Sequence, residues 1–416
     1  MKRQTVVVIG GGAAGLMAAG QAAIAGARVI LLEKMKRPGR KICISGKGRC
    51  NITNSAPVAD FIEHFGKNGR FLRQAFSRFF STELITFFEE NGLPVSLERG
   101  GRYFPTSGNA PDILKIFLTW LTQLNVEIRD SCPAKDILVT DGKVSGVTTC
   151  RGNIDCDSVI IATGGASYPA TGSTGDGYTL AKKMGHTIVP IRPALVPLEV
   201  QNGIHPALAG LELRNIGVQL LINGKKKQQL FGELHFIKTG VSGPTILTLS
   251  GDAVDALQKA DKVHLAIDLK AALSEQKLDA RLIRDFQKRT KEHFGDVLRG
   301  LLPAQLVPLC LEQTNIPANR LAGEISKKER KTLLHWLKDL RLEVSGHRSF
   351  KEAIVTAGGV MLKEVNPRTM ESEIIPGLYL AGEVLDLNGN TGGYNLQAAF
   401  STGWLAGRSA GDVQST

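Results

Sequence analysis

The most constraining feature of this 416-residue chain is Gly10-x-Gly12-x-x-Gly15, placed between two very different stretches. Before it runs Thr5 to Ile9, a β-branched, apolar segment that reads as a buried strand. After it comes an alanine-rich helix from about Ala13 to Ala25, stopped by Gly26, and then a second apolar strand from Arg28 to Leu32. This is a strand–helix–strand unit. Gly10 permits the tight turn, Gly12 lets the backbone approach a pyrophosphate, and Gly15 lets helix and strand pack closely. The phosphates would sit on the helix N-terminus, where free N–H groups favour negative charge. Glu33, 18 residues past Gly15, ends the second strand with a carboxylate suited to ribose hydroxyls and hostile to a 2′-phosphate. The motif specifies dinucleotide binding without separating NAD from FAD.

The next block decides between them. Lys34 is followed by Arg40-Lys41-Ile42-Cys43-Ile44-Ser45-Gly46-Lys47-Gly48-Arg49-Cys50-Asn51, which combines positive charge, hydroxyl and glycine. A loop of this kind can run along an extended diphosphate and ribityl chain, for which an NAD domain has no use. A third block, Gly377 to Asp386, reads as a buried strand ending in Ala381-Gly382-Glu383, with Asp386 just beyond. Gly392-Gly393-Tyr394-Asn395-Leu396-Gln397 then opens the closing helix, which runs to about Ala410. Its N-terminus can stabilise the negative charge that builds on a flavin pyrimidine during reduction. Ser158 to Ala162 forms a further buried strand ending in Thr163-Gly164-Gly165.

Helical patterns fill Phe61 to Asn91 and Asp112 to Leu124, and a basic, glycine-punctuated loop spans Lys34 to Asn54. Val126 to Gly152 is β-rich, with Asp141-Gly142 as a hairpin turn. After Pro190, Pro193 and Pro197 the texture changes. Gly217–Ile222 and Val263–Leu269 read as antiparallel strands and Asn223-Gly224 as another hairpin turn, whereas Ser274 to Leu340 is helical and basic. The expected division is a domain from 1–189 and 353–416, an inserted β part from 190–272 and 342–352, and a helical insertion from 273–341.

These blocks resemble the BaiN/aminoacetone-oxidase-like family of FAD-dependent oxidoreductases, which have a glutathione-reductase type of fold. The resemblance also rests on Thr171-Gly172-Ser173-Thr174-Gly175-Asp176-Gly177-Tyr178, Ser242-Gly243-Pro244 and Thr356-Ala357-Gly358-Gly359-Val360. It implies an α/β fold: a Rossmann-type FAD-binding domain built from both chain ends, with an inserted β-barrel-like domain and a small helical domain. It implies FAD contacts by Gly12, Ala14, Gly15, Glu33, Arg40, Lys41, Ser45, Gly46, Cys50, Gly382, Glu383 and Asn395. Gly10, Lys34, Gly48, Arg49, Asn51, Ala134, Thr163, Gly164, Gly165, Asp386, Gly393, Tyr394 and Leu396 complete the expected cofactor site. One departure stands out: the family's Phe-Thr-His before Ser-Gly-Pro is here Phe236-Ile237-Lys238.

No second nucleotide-binding unit is legible. Gly172-x-x-Gly175-x-Gly177 lacks the flanking strand, immediate helix and downstream acid, and reads as a loop near the flavin. NAD(P)H would therefore be a transient electron donor. Proton-donor candidates are Cys50, Tyr103, Tyr168 and Tyr394, with Lys238 as an outsider; Cys50, Tyr394 and Lys238 are taken as the catalytic set. Three readings stay open. The leading one, implied by the resemblance, is a small-molecule reductase or oxidase acting on an enone or an amine. The alternative, also implied by it, is an RNA-modifying enzyme that reduces uridine to dihydrouridine in ribosomal RNA. A non-catalytic flavin sensor is the third. The formal charge of +12 favours anionic partners, RNA included. Between Lys277 and Arg341 fourteen Lys and Arg face eight Asp and Glu, and Lys225-Lys226-Lys227 adds a local patch.

Metal binding is not expected, since Cys43, Cys50, Cys132, Cys150, Cys156 and Cys310 show no ligand spacing. Met1-Lys2-Arg3 before an apolar stretch imitates a secretory leader, but Gly10, Gly11, Gly12 and Gly15 break that stretch. With scattered thiols and no membrane-length apolar run, a cytoplasmic protein is expected. The sequence leaves the substrate, the electron donor and the oligomeric state open.

Overall fold

A computed structural model describes residues 3–412; Met1 and Lys2 of the basic start lie outside them. The chain divides into two compact units, one from residues up to Pro193 together with those from Phe350 on, the other Ala194–Ser349.

The first unit is built on a five-stranded parallel sheet in the order Leu378–Leu380, Ser158–Ile161, Thr5–Ile9, Arg28–Leu32, Glu127–Arg129. Thr5–Ile9 is central, with Val7 opposite Val159 on one side and Ile30 on the other. Val6, Val7 and Val8 are wholly buried, as a strand covered on both faces requires. The strand from the C-terminal part of the chain therefore completes a sheet begun at the N-terminus.

The same joining occurs between helices. The first helix, Ala13–Ile24, packs along the closing helix, Tyr394–Gly411. A Cβ on Gly403 would lie 2.3 Å from Ala14 O, and one on Gly407 would lie 2.3 Å from Ala18 O. Gly411 abuts Ala22 in the same way. Glycines spaced by four residues thus present bare backbone to an alanine-rich face, which sets the helices unusually close.

Two expectations need correction. The basic loop contains a short helix, Arg40–Ile44, followed by a tight turn at Ser45–Gly48 in which Gly46 and Lys47 are left-handed. The pattern from Phe61 to Asn91 is not continuous but divides into Val58–Glu63, Gly66–Leu72, Arg73–Arg78 and Ser81–Glu90. The first break falls at Gly66, which is left-handed at φ +57°; Gly69 then packs on Ile62 O, where a Cβ would lie 1.9 Å away.

In the second unit, six strands close into a barrel: Leu198–Val200, Gly240–Ser242, Lys225–Ile237, Glu212–Ile222, Val263–Asp268 and Leu340–His347. Its longest hairpin turns at Asn223-Gly224, both with positive φ (49° and 76°), the backbone a two-residue turn of this hand demands. Helices from Glu275–Lys288 to Lys327–Lys338 share one apolar core with the barrel, so Leu278, Leu282 and Leu337 are buried with Leu220 and Leu265.

Candidate functional site

The glycine turn adopts the geometry its residues predict. Gly10 has φ +105°, and a Cβ on Gly15 would sit 1.8 Å from Gly10 O. At Gly12 a Cβ would meet nothing within 4 Å. The first helix begins there with no side-chain cap and no acid in its first turn. An open approach to uncapped N–H groups is what a pyrophosphate needs.

Glu33 is buried beside this turn. Its carboxylate accepts the Gly11 N–H at 2.9 Å and the Met35 N–H at 2.7 Å. Burial pushes its pKa up, and those two N–H groups oppose the rise.

Four segments converge on Glu383. Lys41 Nζ lies 2.8 Å from Glu383 Oε2, and the Thr356 N–H donates to Oε1 at 2.7 Å. Gly164 and Gly165 lie against the same side chain, and Ala166 N–H donates to Thr356 Oγ1 at 2.8 Å. Gly382, left-handed at φ +77°, touches Ala14 at the start of the first helix. The fingerprint, the basic block, the Thr163–Gly165 turn and the Ala-Gly-acid block thus meet in one place.

The chain's fit to a flavin can be tested on one atom. Asn51 Oδ1 is buried without a hydrogen-bond partner. A buried, unpaired acceptor is costly, and a ligand N–H or O–H would relieve it. With the open turn at Gly12 and the buried Glu33, this orphan fits FAD: Gly10 to Gly15 and Glu33 would hold the adenine-nucleotide half, and the Lys41–Asn51 block with Glu383 the flavin half.

At the head of the closing helix, Tyr394 stacks on His64 with ring centroids 3.8 Å apart and meets Phe61 edge-on at 4.7 Å. His64 Nδ1 lies 3.1 Å from Asn390 Nδ2. Burial holds the Tyr394 phenol above its ordinary pKa and lowers that of His64. Gly393 is needed because a Cβ there would meet Thr53 O at 2.5 Å.

The remaining expected residues lie as follows. Arg40 is exposed on its short helix, and Ser45 Oγ donates to Ile42 O at 2.8 Å. Gly46 and Gly48 are left-handed. Lys34 pairs with Asp176, Arg49 with Glu98, and Asp386 with Asn68. The Asn395 side chain binds Gly389 and Asn390 of its own loop. Leu396 is half-buried against the core, and Ala134 opens the strand Ala134–Thr140.

Cys50 is fully buried, and burial pushes its thiol up to about 12. Tyr103 pairs across strands with Thr53, and the Tyr168 N–H donates to Phe350 O. Lys238 is exposed between the strands Lys225–Ile237 and Gly240–Ser242 of the second unit. The Gly172–Gly177 segment departs from expectation in one respect, since a helix, Asp176–Lys183, begins directly after Gly175. Among the described residues no group of side chains is arranged to hold a metal ion. Sequence reasoning missed His64 and Asn390, which nothing in their local pattern marks; Thr356 lies within a motif legible in the sequence, but its contact with Glu383 is visible only in the folded chain.

The parallel sheet, the uncapped glycine turn with its buried acid and the second carboxylate from the far end of the chain define an FAD-dependent oxidoreductase with a Rossmann domain. The chain belongs to the HI0933-like protein Rossmann domain family, which matches residues 4–409. It is 33% identical over 407 residues to the 3-dehydro-bile acid delta(4,6)-reductase of Clostridium scindens, covering 97% of this chain and 98% of the relative. It is 31% identical over 417 residues to the ribosomal RNA dihydrouridine synthase of Escherichia coli K12, covering 97% of each. Among solved structures, the 3-ketosteroid-delta4-(5alpha)-dehydrogenase of Rhodococcus jostii RHA1 shares the fold at 14% identity and a TM-score of 0.51, covering 98% of this chain and 97% of that one.

Proposed function

We propose that this chain reduces a carbon–carbon double bond conjugated to a carbonyl. The supporting observation is that two relatives matched along almost the whole chain carry names that both describe saturation of such a bond, in an oxo-steroid and in uracil. Bound FAD, once reduced by NAD(P)H, would supply the hydride. The protein's own tasks are to hold the alkene and deliver a proton to its other carbon.

Tyr394 is the proposed donor. Burial keeps its phenol protonated, and the stack on His64 fixes its ring. Cys50 is sealed in the core, which supports a packing role for it rather than proton exchange with a substrate.

For the substrate we favour uridine in RNA over a small enone because two relatives, each 31% identical and matched over at least 96% of this chain, carry the name ribosomal RNA dihydrouridine synthase, and the formal charge of +12 suits a polyanion. The six cysteines are free, which supports a cytoplasmic setting. Among the described residues no helix is long and apolar enough to cross a membrane.

The test is nucleoside mass spectrometry of ribosomal RNA from a deletion strain and its parent. Loss of a dihydrouridine, restored by the intact gene and not by Gly12→Trp, is the expected result. An unchanged profile, with turnover of a steroid-type enone by the purified yellow protein, would move the substrate to the small-molecule class. Tyr394→Phe should lower the rate about a hundredfold while keeping the flavin.

A further inference from the structure

The second unit carries its basic residues in two places, and they differ in what surrounds them. In the helical part many are occupied: Arg281 pairs with Asp285, Arg289 with Glu292, and Arg330 with Asp279. The barrel's long hairpin is different. Its tip carries Lys225, Lys226 and Lys227, all exposed. The turn residue Asn223 binds the loop that holds Lys259 and Lys262: its side-chain amide donates to Asp261 at 2.8 Å, and the Lys262 N–H donates to its carbonyl at 3.0 Å. Five exposed lysines are thereby gathered at one end of the barrel. The acid among them, Asp261, is engaged by an amide. None of the five lysines forms an ion pair among the described residues.

The outer face of the same strand continues from this tip through Gln229 to Phe231. Lys226 Nζ reaches Gln229 Oε1, which fixes that side chain along the strand. Phe231 is 63% exposed, more than any other large apolar side chain among the described residues. Its cross-strand partner is Gly217, so one flank of the ring is bare. By strand rise, Phe231 lies roughly 13 Å from Lys227. Beyond the ring the same face ends in Glu233, 3.9 Å from His235 Nε2, so the lysines and amides lie on the tip side only. A solitary flat ring so placed is poorly suited to a lipid surface, which wants a continuous apolar patch. It suits a strand whose phosphates meet cations while a base stacks on an aromatic face.

We propose that this hairpin, from its lysine tip to Phe231, binds a single-stranded segment of RNA. The choice of RNA as the polyanion rests on the uridine reading above; the surface itself rests on the lysines and the ring.

The experiment is fluorescence anisotropy of a labelled short oligouridylate with the flavin-loaded, full-length protein across a salt series. Affinity should fall with salt. Lys225→Gln with Lys227→Gln should reduce the magnitude of the log–log slope by about 1.4, at about 0.7 per lost phosphate contact. Phe231→Ala should weaken binding about tenfold at an unchanged slope, and Phe231→Trp should restore it. Flavin absorbance and the unfolding midpoint, unchanged in each variant, show that the fold is intact. The surface is overturned if affinity and slope ignore these substitutions, even in an enzyme that reduces uridine. It is equally overturned if phosphatidylserine vesicles bind with the same dependence on the lysines and Phe231 while the oligonucleotide does not. If the substitutions act as stated and dihydrouridine is never formed, the substrate reading fails and the surface stands.

Discussion

Lys41 Nζ and Glu383 Oε2 lie 2.8 Å apart across 342 residues of sequence. Both side chains are mostly shielded from solvent, at 28% and 20% exposure. The pair ties the basic block after the second strand to the acid that follows the last strand of the sheet, and so fixes two walls of the proposed flavin site at once. Lys41→Met and Glu383→Gln should each weaken FAD retention about tenfold. A double-mutant cycle on flavin affinity should return a coupling of roughly 1 kcal/mol. Strictly additive losses would mean that the ion pair is incidental.

The glycine turn separates two effects that are usually confounded. Gly12→Ala adds a methyl into open space, so the unfolding free energy of the apoprotein should change by less than about 0.5 kcal/mol while flavin occupancy falls. Gly15→Ala drives a methyl into Gly10 O and should cost about 3 kcal/mol of stability. Urea titration of both apoproteins beside their absorbance spectra distinguishes these outcomes.

His186 provides a pH prediction. Its ring is fully buried, with Nε2 2.9 Å from Ser372 Oγ and Nδ1 3.2 Å from Glu364 Oε2. Ser372 Oγ already accepts the N–H groups of Ile374 and Ile375, so its own proton points to Nε2 and the ring proton sits on Nδ1, facing Glu364. Burial lowers the His186 pKa, outweighing the attraction of Glu364. The folded state therefore resists protonation more than the unfolded chain does. Stability should hold above the ordinary histidine value of about 6.5 and decline as pH falls below it. Glu364, whose pKa is lowered, adds a loss of the same sign in the carboxylate range. The urea midpoint of His186→Gln should vary less between about pH 7 and pH 5 than that of the parent.

The packing of the first and last helices predicts a strong response to a single methyl. Gly407→Ala should cost about 2–3 kcal/mol, because its Cβ would lie 2.3 Å from Ala18 O and neither backbone can retreat. Gly251 lies in a helix where a Cβ meets nothing within 4 Å, so Gly251→Ala should be neutral or stabilising. Thermal melts of the two variants test the contrast.

What could be read from sequence was what short-range physics determines. Thr5 to Ile9 announces a buried strand through its β-branched side chains, Gly10 to Gly15 a phosphate turn, and Asn223-Gly224 a hairpin of fixed hand. The helix Arg40–Ile44 was hidden because five residues carry too little periodicity to stand out in a glycine-punctuated block. The helix after Gly175 escaped notice since no strand precedes it. The pattern after Phe61 looked continuous because aromatic spacing persists through the break at Gly66, where the backbone turns left-handed. His64 gave no local sign of a role, and only the fold sets its ring on Tyr394. Glu383 was legible as an acid after a strand and Lys41 as part of the basic block, but their pairing was not, for it depends on the whole intervening chain.

The glycine-to-alanine contact between the first and last helices has a consequence for biosynthesis. As the chain leaves the ribosome, Ala14, Ala18 and Ala22 must wait for a counterpart made almost four hundred residues later. The barrel and its helices have their own core and can close in the meantime. The alanine face is thus covered only once Gly403 and Gly407 have emerged; until then the phosphate turn is only half supported.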